Sequence, residues 1–202
     1  EKGLLSCDDF MPMAEDAGMG LELACLLWKT ACMELRAMMA GEALRDTVRF
    51  IIPLPNGLFA RSDLAQWLEK TANKYGIPAE RILIALPESC FWLRGLDVDK
   101  KLDEIQARGF GFVLDNFASG YSSLEMLRTI SYQGVKLNPK LVARLGLSQT
   151  DETVVDAAIY LAKNLGLEVM ANGVETENQY RFLNARGCGW LQGAYVDKQL
   201  PC

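Results

Sequence analysis

Two hydrophobic rhythms take turns along this chain. Residues 19–40 repeat apolar side chains on a helical period, interrupted by Glu22, Lys29, Glu34 and Arg36. Those charges predict an amphipathic helix packed on a core, not a membrane span. A shorter helix precedes it, opening at Ser6-Cys7-Asp8-Asp9 and ending near Gly18. Val48-Arg49-Phe50-Ile51-Ile52, bounded by Pro53 and Pro55, predicts a strand. Further strands are expected over residues 81–86, 110–114, 134–137, 167–171 and 189–196. Helices are expected between them. One is capped by Ser62-Asp63 and ends at Gly76. The others cover residues 97–108, 124–129, 139–145, 151–164 and 176–186.

Strands alternating with helices imply an α/β fold with a parallel sheet. A closed eight-stranded barrel would need two more strands than the six read here, and these would lie upstream of residue 1. The chain starts in mid-pattern without Met, so it reads as the C-terminal part of a longer protein, with residues 1–202 forming one domain.

Composition narrows the chemistry. With 50% hydrophobic and 23% charged residues, the chain is ordinary globular protein. The 26 acidic and 21 basic residues leave a formal charge of −5, which speaks against a nucleic-acid polymer as partner. Histidine is absent, which removes Ser-His-Asp and Cys-His catalysis and imidazole metal ligands. The six cysteines, Cys7, Cys25, Cys32, Cys90, Cys188 and Cys202, form no C-x-x-C pair. They read as reduced, buried thiols of a cytoplasmic protein, or of the cytoplasmic part of a membrane-anchored one.

Functional groups of a βα barrel sit at the C-terminal ends of its strands. In chain order these ends carry Pro53, then 85–88 with Glu88, then Asp115 and Asn116. Lys136 and Asn138 follow, then 172–175 with Asn172 and Glu175, and finally Gln192. Polar side chains recur at successive ends, the pattern of an ancestral site. Each has a structural alternative as well. Asp115 would cap the following turn or pair with Lys136, and Glu175 would be a first-turn anion of the helix at Thr176.

The motifs at these ends resemble a known family. Asp115-Asn116-Phe117-Ala118-Ser119-Gly120-Tyr121-Ser122-Ser123-Leu124 is similar to the D-D-F-G-T-G-Y-S-S-L loop of EAL domains, the cyclic di-GMP phosphodiesterases. Val135-Lys136-Leu137-Asn138 resembles L-K-I-D, and Ala171-Asn172-Gly173-Val174-Glu175-Thr176 resembles A-E-G-V-E-T. Gln192-Gly193-Ala194-Tyr195 resembles Q-G-Y-Y, and residues 10–18 resemble F-I-P-x-A-E-x-x-G. The resemblance implies an EAL-type TIM-like (β/α) barrel with its first strands missing from this chain. It also implies a site where carboxylates and an Asn hold two divalent cations, Mg or Mn, that activate water, with a Lys assisting.

Carried over by position, the resemblance also implies loss. Pro53 stands for a metal-ligating Asn, Ala85 for the first Glu of E-x-x-E, Asn116 for the second Asp, and Asn172 for the Glu of A-E-G. Asn138 stands for the Asp of K-I-D. Glu88, Asp115, Lys136, Glu175 and Gln192 are retained. Loss of even an outer partner costs ~10–100-fold in metal affinity or activity.

The expected function is therefore a catalytically inactive signalling domain. It would act as a cyclic di-GMP receptor through Asp115, Glu175, Gln192 and Glu88, or as a protein-interaction module or homodimer behind an upstream sensor or GGDEF domain. No cofactor is expected. The alternative is a weak phosphodiesterase using Mg or Mn at Asp115 and Asn116, with Lys136 as its catalytic residue. Two remoter readings are a Schiff-base lysine at Lys136 and docking through the helices around Trp28 or Trp67.

Overall fold

The computed structural model describes residues 13–14, 16–40, 48–87, 89–90, 93, 97–119, 127 and 130–197. Of the expected helix over 124–129 only Leu127 is described, and it is helical; the start of the one at Ser6 lies outside the described residues, as do Glu88, Cys7 and Cys202. The chain divides into two compact units, Glu1–Gly111 and Phe112–Cys202.

In the first unit, helix α1 (Gly20–Ala40) buries Gly20, Ala24, Trp28 and Cys32. These residues recur every four positions and so fall on one face. Trp28 meets Phe110 edge to face with ring centroids 6.4 Å apart. Trp28 itself is core, while the same helix exposes Leu26, Met33 and Met38. Strand β1 (Phe50–Pro53) pairs in parallel with β2 (Ile82–Pro87), in the register Phe50↔Ile82 to Pro53↔Ala85. All five residues from Ile82 to Leu86 are buried; each large apolar one contributes roughly 1.5–3 kcal/mol.

Between the two strands, a 3-10 turn (Asn56–Ala60) that the sequence pattern did not predict precedes α2 (Leu64–Lys74). Asp63 stands at the helix start as expected but does not cap it. Its carboxylate instead takes the Arg61 guanidinium at 2.8 Å. That partner holds Asp63 below the usual carboxylate range. Arg61 also lies over the half-buried Trp67 ring at 4.9 Å. Helix α3 (Val98–Gln106) follows β2.

The second unit is a parallel sheet in chain order: β3 (Gly111–Phe117), β4 (Tyr132–Leu137), β5 (Glu168–Asn172) and β6 (Trp190–Gln192). Helix α4 (Pro139–Ala143) and α5 (Gln149–Asn164) link β4 to β5, and α6 (Glu177–Ala185) links β5 to β6. Helix α5 buries Val155, Ala158, Ile159 and Ala162 on one stripe. Its cap is Ser148, whose Oγ accepts from the Asp151 N–H at 3.1 Å. The last strand stops at Gln192, shorter than the expected 189–196, because the chain turns at Gly193.

Among the described residues no helix is long and apolar enough to cross a membrane.

Candidate functional site

The ends of β3, β4, β5 and β6 bring together most of the polar residues singled out in the sequence. The pairing of β3 with β4 slips by one residue: Leu114 faces Val135, and the next match is Phe117 with Leu137. Two β3 residues, Asp115 and Asn116, therefore stand against the one residue Lys136, the geometry of a β-bulge. Asn116 supplies the local reversal with φ 58°, a left-handed conformation that Asn tolerates better than most residues. The bulge sends the Asn116 side chain to solvent and leaves Asp115 partly covered.

Lys136 Nζ lies 3.5 Å from Asp115 Oδ1, with the two side chains 15% and 20% exposed. The same oxygen accepts the Asn116 backbone N–H at 3.0 Å. Asp115 is thus already compensated by a cation and a local donor. The expected pairing with Lys136 is met.

Asn138, next along the chain from β4, caps α4. Its Oδ1 accepts from Lys140 N–H at 2.8 Å and Pro139 occupies the first turn. The capping role suffices to explain an Asn there.

Asn172 ends β5 in register with Gln192, which ends β6. Val174 beyond them is buried and donates its N–H to Gln192 O at 3.0 Å, while its own carbonyl accepts from Tyr195 N–H at 3.0 Å. A Cβ at Gly193 would fall 2.2 Å from Val174 O, so only glycine lets these two segments meet.

Glu175 is exposed and precedes the helix cap Thr176. It is therefore not the first-turn anion that was expected; Glu177 is. The Glu175 backbone N–H donates to Gln179 Oε1 at 2.8 Å. Gln179, buried, closes a capping box with Thr176. Sequence reasoning passed over Gln179, although Thr-x-x-Gln before an apolar run is its signature. The Tyr180 and Tyr195 rings pack at a tilt of 46° with centroids 5.6 Å apart.

In the first unit, Pro53 and Ala85 are register partners at the ends of β1 and β2. Neither side chain offers a metal donor, and Ala85 is fully buried. Among the described residues no group of three Cys, Asp or Glu side chains stands close enough to hold a metal ion. In the second unit the donors at the strand ends are Asp115, paired with Lys136, the exposed Glu175 just past β5, and neutral amides. A pair of hard divalent cations needs several anionic oxygens, and among the described residues the donors are not gathered into such a set.

Comparison with known proteins gives the lineage. The EAL domain model matches residues 1–199. Over 202 residues the chain is 27% identical to the bifunctional diguanylate cyclase/cyclic di-GMP phosphodiesterase MucR of Pseudomonas aeruginosa, covering 100% of this chain and 29% of MucR. A solved c-di-GMP complex of the PaMucR phosphodiesterase matches with a TM-score of 0.89 at 26% identity, covering 100% of this chain and 81% of that one. A manganese/cy-diGMP complex of Klebsiella pneumoniae BlrP1 shares the fold, with a TM-score of 0.78 at 24% identity over 93% of this chain and 47% of that one. The fold is accordingly a TIM-like (β/α) barrel, of which this chain carries six parallel strands alternating with helices. The chain spans less than a third of the length of the curated relatives it matches.

Proposed function

Because the chain belongs to the EAL domain family, we propose that residues 1–202 form a single degenerate domain of that family. It serves cytoplasmic signalling as a cyclic di-GMP receptor or protein-interaction module without hydrolysing the nucleotide. The observation that carries this reading is the Asp115–Lys136 pair at 3.5 Å. The one acidic side chain left at the β3 end is neutralised by a lysine. Asn116 and Asn172 stand where the resemblance implies carboxylates, and Pro53 and Ala85 offer no donor.

Replacing carboxylates by amides has a second effect that favours a receptor. A phosphodiester is an anion. Without metal ions a ring of carboxylates repels it, whereas amide N–H groups and a lysine attract it. Glu175 and Gln192, at neighbouring strand exits, and Glu88 are the remaining contacts proposed for the nucleotide. Lys136 is vestigial as a catalyst. The relatives are multidomain proteins by their length, which supports an upstream sensor or GGDEF domain and a protein partner or second copy.

Calorimetric titration of cyclic di-GMP into the purified protein, with and without excess Mg²⁺ or Mn²⁺, tests this. The expected result is binding in the micromolar range, about −8 kcal/mol, that ignores the metal. Absence of heat in both conditions would remove the receptor role and leave the protein-interaction module. Metal-dependent conversion to the linear dinucleotide would establish the weak phosphodiesterase instead.

A further inference from the structure

The sequence holds two Asn-Gly dipeptides, Asn56-Gly57 and Asn172-Gly173, and the fold treats them in opposite ways. Asn56 lies in the 3-10 turn, and its Nδ2 donates to Ser89 Oγ at 2.9 Å. Gly57 is packed on the α1 start, where a Cβ would come within 3.1 Å of the Gly20 carbonyl oxygen. The Asn56 amide is thus held by a hydrogen bond, and Gly57 is closely packed against the start of α1.

Asn172 is different. It is the last residue of β5 and only half-buried, and Gly173 beyond it leaves the strand with φ 74°. The next N–H, that of Val174, is engaged with Gln192 O. Among the described residues neither the Gly173 N–H nor the Asn172 side-chain amide has a hydrogen-bond partner. Gly173 has no side chain to crowd its own nitrogen, and glycine adjusts φ and ψ at little cost.

We propose that Asn172 is a site of spontaneous deamidation, a masked carboxylate at the end of β5. The Gly173 nitrogen, giving up its proton, bonds to Asn172 Cγ and closes a five-membered succinimide. The side-chain nitrogen leaves as ammonia. Water then opens the ring at one of its two carbonyls. Opening at Cγ yields aspartate and opening at the main-chain carbonyl yields isoaspartate. Nothing is oxidised or reduced: one water enters and one ammonia departs. A neutral amide becomes a carboxylate.

The product has two structural consequences. Aspartate keeps the Asn172↔Gln192 register and adds a negative charge at the position where the A-E-G-V-E-T motif carries its first Glu. Isoaspartate lengthens the main chain by one atom between Ala171, paired with Leu191, and Val174, bonded to Gln192 O, so it disturbs that junction. The age of a molecule thereby becomes a variable of its strand-end charge, independently of whether the nucleotide binds there.

The test is peptide mapping of the native protein aged at physiological temperature in mildly alkaline buffer. A parallel sample unfolded in urea serves as the control for intrinsic reactivity. The tryptic peptide 164–181 contains Asn164, Asn172 and Asn178, and fragmentation within it assigns the change. Expected is a one-mass-unit gain that localises to Asn172, with an isoaspartate fraction. It should accumulate several-fold faster than the same gain at native Asn56, and it should vanish in Asn172→Gln, whose six-membered ring closes slowly. A native Asn172 that stays unchanged, or converts no faster than Asn56, while the unfolded chain converts at both, would overturn the proposal.

Discussion

Lys136 Nζ meets Asp115 Oδ1 at 3.5 Å because the β3 bulge sets two residues against one. Both side chains are more than three-quarters covered, so the pair lies between an exposed ion pair, worth about 0–1 kcal/mol, and a buried one, whose broken halves cost several times more. Lys136→Met should therefore destabilise the protein by about 1–2 kcal/mol, mostly by stranding the Asp115 charge. Adding Asp115→Asn should return much of that loss. Urea denaturation of the two single variants and the double variant gives the coupling, expected near 1 kcal/mol. Losses that simply add within about 0.5 kcal/mol would show that the two charges do not interact.

Ala118 sits one residue past β3 with φ 64°. A left-handed backbone costs a residue with a Cβ roughly 1–2 kcal/mol, and glycine escapes that cost while losing part of the gain to its freer unfolded state. The resembling motif has glycine at this place. Ala118→Gly should thus stabilise the protein by about 0.5–1 kcal/mol, read as a higher urea midpoint with an unchanged slope. A lower midpoint would mean that the methyl group's packing outweighs the backbone strain.

Most of the fold was legible because its elements are strongly patterned. The short, fully apolar run at Ile82–Leu86 suits a buried strand by its length, and the four-residue spacing of Ala24, Trp28 and Cys32 and the stripe of Val155, Ala158, Ile159 and Ala162 match the helical period. The family was legible from its strand-end motifs, which survive where packing or turns require them, as at Gly193.

What escaped was local geometry that depends on partners. The β3 bulge is invisible to a period-two reading, since Asp115-Asn116-Phe117 simply looks like the strand running out. The loss of the Asp63 cap could not be read either, because Arg61 competes for the same carboxylate from two residues away. Glu175 falls two residues before the first-turn anion Glu177, since Thr176 and Gln179 set the helix start through a capping box. The shortened β6 follows from Gly193 turning beneath Val174, a contact between segments far apart in sequence.

Burial pushes the thiols of Cys32 and Cys188 up to about 11 and that of Cys90 to about 12, with Asp99 adding to the last. A thiol has an ordinary value near 8.5–9, so in alkali the unfolded chain releases these protons before the folded one does. A group whose folded value is raised lends its full stabilisation below the unfolded value and loses it as pH climbs toward the folded one. Stability should therefore hold up to about pH 8.5 and then fall, each buried thiol contributing at most roughly 1.4 kcal/mol per pH unit. Urea midpoints measured from about pH 8 to 10.5 should trace this decline. Because lysines and tyrosines titrate in the same range, the decisive comparison is with Cys90→Ala. That variant starts lower, having lost buried sulfur, but its midpoint should fall less steeply with pH. Parallel slopes for the two proteins would show that Cys90 does not resist ionisation in the folded state.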